Sequence, residues 1–371
     1  MPKKFLFITI LLGMVLFTPG WGNYLQAQER ILIKEGDLFP EVVLKPPVDS
    51  KDRIYLGISG EAPFAVKDIK AKVILVEIMN VYCASCQNMA PIYNKLYALI
   101  DSQPEIRKQI KIIGIAAGND DQEIKIYRDH FQVPFPLIPD AQYVMHKAIG
   151  GSPTPFSILV RRGPKGKMVV VASTHLGFNE HYEELLSEMK SLMTKDPKII
   201  RKKGIKTKGK VLTVKPILNE EELKGRIETA FTEAGGLLTG FEKVDLGKGR
   251  AVYTGLVEKD GQVTRLFADV VSLLPTCDVC HDVHFIVTFE ANGKILQFIP
   301  LQLTKYGNED WDEADIAKMR GKIVGRYIYH PFSFKAQVDA VTSATITSAA
   351  IFRGLNEGQV IFQELKKKGL L

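Results

Sequence analysis

All four cysteines of this 371-residue chain lie in two Cys-x-x-Cys pairs, Cys83-Ala84-Ser85-Cys86 and Cys277-Asp278-Val279-Cys280, and His281 follows the second directly. Thiols at this spacing can close and reopen a disulfide. At a helix start, unpaired N–H groups and the helix dipole stabilise a thiolate on the outer sulfur, so Cys83 is the expected nucleophile and Cys86 the resolving thiol. Glu77, six residues earlier, interrupts an apolar run. An acid there is costly unless it is paired or its pKa is raised, and beside a dithiol it can move the proton of the inner cysteine. The competing expectation is a strand twist that turns Glu77 to water.

The second pair leaves more open. Cys-x-x-Cys-His is the attachment signature of haem c, with Cys277 and Cys280 as thioether sites and His281 as axial metal ligand. His284 and His330 are candidates for the sixth position. Two rival readings stand beside it, a second redox disulfide that trades electrons with Cys83/Cys86 and a structural disulfide. Zinc would need two further close ligands.

Val73-Ile74-Leu75-Val76 is a β-branched, apolar run expected to form a strand buried on both faces. Beyond the dithiol, Met89, Ile92, Tyr93, Leu96 and Leu99 recur at helical spacing, which places Cys83 at the mouth of a helix and Cys86 one turn inside. Pro91 falls five residues after Cys86. Further on, Gly151-Ser152-Pro153-Thr154 precedes the apolar run Phe156 to Val160.

These features together resemble the thioredoxin superfamily. The resemblance implies that Pro91 kinks the dithiol helix, that Glu77 is the buried acid of the central strand, and that a cis-proline loop faces the sulfurs. Pro153 is the expected cis proline, with Pro155 as the fallback. Strand-like runs at Glu41 to Leu44, Arg53 to Ile58 and Phe64 to Ile69 suggest an added N-terminal hairpin, as in exported TlpA- and ResA-like thioredoxins. A strand at Ile110 to Ala117, a helix at Asp121 to His130, the run Phe135 to Asp140 and a short helix near Tyr143 to Ala148 follow, and the distance from Cys83 to Pro153 leaves room for the extra α/β unit of that group. A strand from Met168 to Gly177 and an amphipathic helix from Glu180 to Met193 close the domain.

At the start of the chain, Lys3 and Lys4 precede an apolar run, Phe5 to Phe17, and a small-residue site near Ala27. This is a signal-peptide layout (1–27) that predicts export to the periplasm or cell envelope, with an uncleaved membrane-associated anchor as the alternative. A formal charge of +7 is modest for this length and fits a solvated surface. The thioredoxin-like domain is expected over 28–194. Eight Lys/Arg residues between Lys195 and Lys210 suggest a solvated basic linker over 195–215. Without interleaved aromatics the stretch is not a nucleic-acid site.

Residues 216–371 suggest a separate α+β domain: a helix capped by Asn219, then strand pairs Ala251 to Val257 with Val263 to Ala268, and Val283 to Phe289 with Ile295 to Leu301. Near its end, Asp339-Ala340-Val341-Thr342-Ser343-Ala344-Thr345 resembles the flavinylation motif of FMN-binding domains. That resemblance implies FMN joined through a phosphoester to Thr345, recognition residues Asp339, Thr342, Ser343 and Ala344, and a flavin transferase as partner. Ser343 stands where Gly is commoner. A helix beginning near Thr345 would aim N–H groups at a phosphate, although a Ser/Thr N-cap before an Ala-rich helix spells the same string.

The sequence therefore points to an exported electron-transfer protein: an α/β thioredoxin-like dithiol module joined to an FMN-binding α+β module, exchanging electrons with protein thiols, disulfides or a membrane electron-transfer complex. The alternative is an assembly or docking factor that reduces or holds the cysteines of a partner such as an apocytochrome.

Overall fold

The computed structural model describes residues 29–371 except 205 and 248. The signal-peptide expectation lies outside these residues. No helix among the described residues is long and apolar enough to cross a membrane.

The first domain runs β1 (Glu29–Ile31), α1 (Ser50–Leu56), β2 (Val73–Met79), α2 (Ala84–Asp101), α3 (Pro104–Arg107), β3 (Ile110–Ala117), α4 (Asp121–Phe131), β4 (Leu137–Asp140), α5 (Val144–Ala148), β5 (Phe156–Arg162), β6 (Val169–Leu176), α6 (Tyr182–Leu192), α7 (Pro197–Gly204) and β7 (Val211–Thr213). Its five-stranded sheet has the order β4-β3-β2-β5-β6, parallel between β2, β3 and β4 and antiparallel between β2, β5 and β6. Central β2 is buried along its whole length. Its alternation divides the core: Val73, Leu75 and Met79 pack with α2 and α6, and Ile74, Val76 and Ile78 pack on the opposite face. The extra α/β unit falls between β3 and β5, as expected.

The N-terminal hairpin is not formed. Leu44 and Phe64 exchange one pair of backbone hydrogen bonds, and Ser50–Leu56 is helical. The caps explain the difference. The Asp49 carboxylate accepts from the Lys51 N–H at 2.8 Å, Gly57 closes the helix in the left-handed conformation, and buried Asp52 is gripped by two Arg128 nitrogens of α4. Local capping overrides the apolar alternation of Arg53 to Ile58.

Nor is the basic stretch a free, solvated linker. In it α7 packs against β6 through buried Ile200, while β7 pairs antiparallel with β1, Ile31 opposite Val211. The charges hid this because they sit on the outer face of a short amphipathic helix. A close backbone crossing also fixes it, since a Cβ on Gly204 would lie 2.1 Å from the Glu35 carbonyl.

The second domain comprises α8 (Glu220–Gly235), β8 (Leu237–Gly247), β9 (Arg250–Lys259), β10 (Gln262–Leu273), β11 (Val283–Glu290), β12 (Ile295–Gln302), α9 (Glu313–Ile323), α10 (Ala336–Asp339), α11 (Thr345–Leu355) and α12 (Gly358–Lys367). Its sheet is antiparallel throughout, in the order β12-β11-β10-β9-β8. Leu223, Ile227 and Phe231 of α8 cover one face, and α9, α11 and α12 cover the other. Asn219 caps α8 through a capping box with Glu222. Edge strand β8 left no clear period in the sequence, because it has no fully buried residue and bears two register shifts.

Candidate functional site: a dithiol covered by a second disulfide

The turn after β2 is shaped by Asn80, whose amide nitrogen donates to the Ala117 carbonyl at 2.8 Å and whose oxygen accepts from the Tyr82 N–H at 2.9 Å. This delivers Cys83 to the N-cap of α2, where its sulfur accepts the Cys86 N–H at 3.3 Å. The nucleophilic sulfur is itself the helix cap, so the orphan donors of the first turn act on it directly. On its other side Cys83 Sγ donates to the Thr154 carbonyl at 3.4 Å. Pro91 lies inside α2, which continues through it.

The electrostatics of the two thiols diverge. Hydrogen bonding from Cys86 holds the Cys83 thiol below its ordinary range, against burial and the Asp278 carboxylate. Burial pushes Cys86 well above its ordinary range, and the neighbouring Cys83 adds to the effect. Glu77 points to the same face of β2 as Leu75 and Met79 and is 4% exposed. Burial, with Cys83 second, pushes its pKa up to about 8. A twist towards water is thereby excluded: Glu77 is a buried acid whose charged form is disfavoured.

The proline loop does face Cys83, but the cis bond is Thr154-Pro155 and not the Ser152-Pro153 bond. Two successive X-Pro bonds make the sequence ambiguous, and contacts decide between them. Ser152 is fixed through its carbonyl, bonded to His146 Nε2 at 2.7 Å. Thr154 is committed on both sides to residues 276–278: its N–H donates to the Thr276 carbonyl at 2.8 Å, and its carbonyl accepts the Asp278 N–H at 2.9 Å. His146, buried and held at a pKa of about 3 mainly by desolvation, is a neutral support for this loop that nothing in the sequence signalled.

The second cysteine pair arrives on that segment. Cys277 and Cys280 form a disulfide with a Cα–Cα distance of 5.2 Å, while Cys83 and Cys86 are thiols. The Cys83 sulfur, the Cys277 sulfur and an Asp278 carboxylate oxygen lie within 4.8 Å of one another. Three metal-type donors meet there, but the Cys277 sulfur is already bonded to Cys280. Cys83 is 0% exposed, with residues 276–278 bonded to Thr154 beside it. In this state neither Cys277 nor Cys280 has a thiol to offer haem. His281 and His330 are exposed, and buried His284 is engaged through Nδ1 with the Ser272 hydroxyl at 2.9 Å.

Thr345 is the first residue of α11, half-buried, and no side chain caps this helix at Ala344. Ser343 has φ +59°, the left-handed region that favours glycine. Thr342 and Ser343 are exposed. Asp339 is tied to the Lys335 N–H and pairs with Lys322 at 3.3 Å, so it shapes the turn. Trp311 belongs to the core, with Nε1 donating to the Thr304 carbonyl. Ile346, beside Thr345, packs against the same apolar cluster as Cys83, Cys86, Cys277 and the half-buried Cys280.

Comparison with known proteins bears on the first domain. The chain is 21% identical over 179 residues to the thiol-disulfide oxidoreductase ResA of Geobacillus thermodenitrificans, covering 48% of this chain and 93% of that protein. Over about 45% of its length the chain is similar to thioredoxin-like thiol-disulfide oxidoreductases of the ResA type. The thioredoxin-like protein YneN of Bacillus subtilis is 24% identical over 144 residues, covering 38% of this chain and 74% of YneN. Among solved structures, a putative thiol:disulfide interchange protein DsbE from Chlorobium tepidum matches with a TM-score of 0.34 and 15% identity, covering 43% of this chain and 99% of that one. No protein-family model matches the chain.

Proposed function

We propose that this is an exported electron-transfer protein in which dithiol chemistry at Cys83/Cys86 is coupled to FMN carried at Thr345. One observation carries the coupling: Ile346, at the N-terminus of α11, packs against the apolar core of the first domain that also contains the cysteines. The residues present fit the cofactor. Small residues, Ser343 and Ala344, precede the threonine, the turn there is left-handed, and the helix start lacks a side-chain cap. Thr345 would hold the phosphate as an ester, with Asp339, Thr342, Ser343 and Ala344 forming the surface that a flavin transferase reads. When bound, flavin accepts two electrons and can pass them on singly. The thioredoxin-like domain supplies electrons as thiols: Cys83 attacks a disulfide, Cys86 resolves the mixed disulfide, and Glu77 takes the Cys86 proton. Partner proteins with thiols or disulfides, or a membrane electron-transfer complex, complete the circuit.

The complete covering of Cys83 favours a second reading, a docking or assembly factor that does not turn over. One experiment separates the two. Protein exported from a flavinylating host is expected to show a visible flavin band that survives denaturation and bleaches when Cys83/Cys86 is reduced anaerobically. A flavin that stays oxidised beside the reduced dithiol ends the coupling. A chain with no flavin supports docking, and a sharp Soret band would return Cys277 and Cys280 to haem.

A further inference from the structure

Residues 276–278 lie along Thr154, next to the proline loop, as an isolated parallel bridge. The bridge has two backbone hydrogen bonds, and the Thr154 hydroxyl adds a third at 2.9 Å to the Thr276 carbonyl. Thr154 also accepts from Cys83 Sγ, so one carbonyl registers the nucleophile and the docked segment together. A structural disulfide needs no such address. A strand laid against an available edge by main-chain hydrogen bonds, with one side chain presented to a reactive group, is how an extended peptide is recognised. The residue presented here is a disulfide sulfur, 2% exposed and within 4.8 Å of the Cys83 sulfur.

We propose that the Cys277–Cys280 disulfide is the intramolecular redox partner of Cys83/Cys86, a relay between the two domains. Cys83 thiolate attacks Cys277 Sγ; the Cys277–Cys280 bond breaks, and Cys280 leaves as thiolate. Cys86 passes its proton to Glu77 and attacks Cys83 Sγ, forming Cys83–Cys86 and releasing Cys277 as thiolate. Two electrons move from the first pair to the second, and the two thiolates released take up the two protons the first pair lost. No other reactant is required, and the reverse transfer follows the same path. Cys277 and not Cys280 is the attacked sulfur, because Cys277 is the one held beside Cys83. The relay rests on the exchange chemistry of Cys83/Cys86 but not on flavin.

The test removes the resolving thiol. Full-length Cys86→Ala, and Cys86→Ser as the more conservative variant, are alkylated in acid and mapped by mass spectrometry. The expected product is a Cys83–Cys277 disulfide with alkylated Cys280. A Cys277–Cys280 disulfide with free Cys83 in both folded variants overturns the relay. A full-length Cys277→Ser/Cys280→Ser chain separates the two ways of failing. If its Cys83/Cys86 pair is oxidised by an added small aromatic disulfide while no Cys83–Cys277 link forms in the first variants, only the relay falls. If that pair is also inert, the exchange chemistry falls with it.

Discussion

Thr154 and Cys277 face each other across a single parallel bridge that joins the two domains at the reactive sulfur. The Cys83 sulfur caps the first turn of its helix and is buried, with a segment from the other half of the chain within 4.8 Å of it. The Cys83 thiol and the segment beside it therefore share one acceptor, the Thr154 carbonyl. Any external substrate has to displace residues 276–278 or receive its electrons through them.

The Thr154 hydroxyl makes that cover tighter. Thr154→Val keeps shape and main-chain bonds but loses the bond to the Thr276 carbonyl, worth about 1 kcal/mol. The expected result is a Cys83 alkylation rate roughly 5-fold higher in the folded protein, read by timed quenching and peptide mapping. An unchanged rate would show that the cover opens by a route not involving this contact.

The left-handed turn before Thr345 makes a separate prediction. Ser343→Gly relieves the backbone at φ +59° and should stabilise the second domain by about 1 kcal/mol, seen as a Tm higher by a few degrees. Covalent flavin should be retained in this variant. Thr345→Ala should abolish flavin fluorescence on a denaturing gel, and retention of the fluorescent band would move the attachment elsewhere.

Much of this arrangement could be read in the sequence, and the failures share a cause. Periodicity located β2, α2, β3 and the β11–β12 hairpin because each buries a regular face. The same rule failed for Ser50–Leu56, where Asp49 and Gly57 caps outweigh an alternating pattern, and for α7, whose charges mask one buried isoleucine. At the site, Cys83, Cys86 and Glu77 were legible because their chemistry depends on local spacing. The docking of Thr276 to Asp278 on Thr154 was not, since it joins residues 122 positions apart, and no local pattern encodes a tertiary register. Asp278 stood inside the motif, but only the fold brings its carboxylate to Cys83.

The pair that replaced the expected hairpin should matter for stability. Asp52, 5% exposed, holds Arg128 through two hydrogen bonds, the longer at 2.9 Å. Asp52→Ala leaves a half-buried guanidinium without its carboxylate and is expected to cost about 2 to 3 kcal/mol, measured as a lower urea midpoint with an unchanged slope. A loss below about 0.5 kcal/mol would mean that α1 is held by its caps and by Leu56 alone.

Glu77 ties stability to chemistry. Its carboxyl titrates at about 8 in the fold against an ordinary value of 4.5, chiefly through burial. The folded state therefore binds this proton more tightly than the unfolded chain. Glu77 costs nothing below about pH 4.5, destabilises progressively as pH rises to about 8, and imposes its full penalty, on the order of 3 to 5 kcal/mol, above that. Glu77→Gln removes this slope, so the stability gap between variant and wild type should widen from pH 5 to pH 8 and then level off. The catalytic effect runs the other way. Ionised Glu77 is the acceptor for the Cys86 proton, so resolution of a mixed disulfide in the wild type should accelerate as pH approaches 8, and the glutamine variant should be roughly 10- to 100-fold slower there. Urea denaturation across pH and quenched-flow trapping of the mixed disulfide measure the two effects separately. A variant that is more stable but resolves at the wild-type rate would leave Glu77 as a buried acid with no part in the exchange.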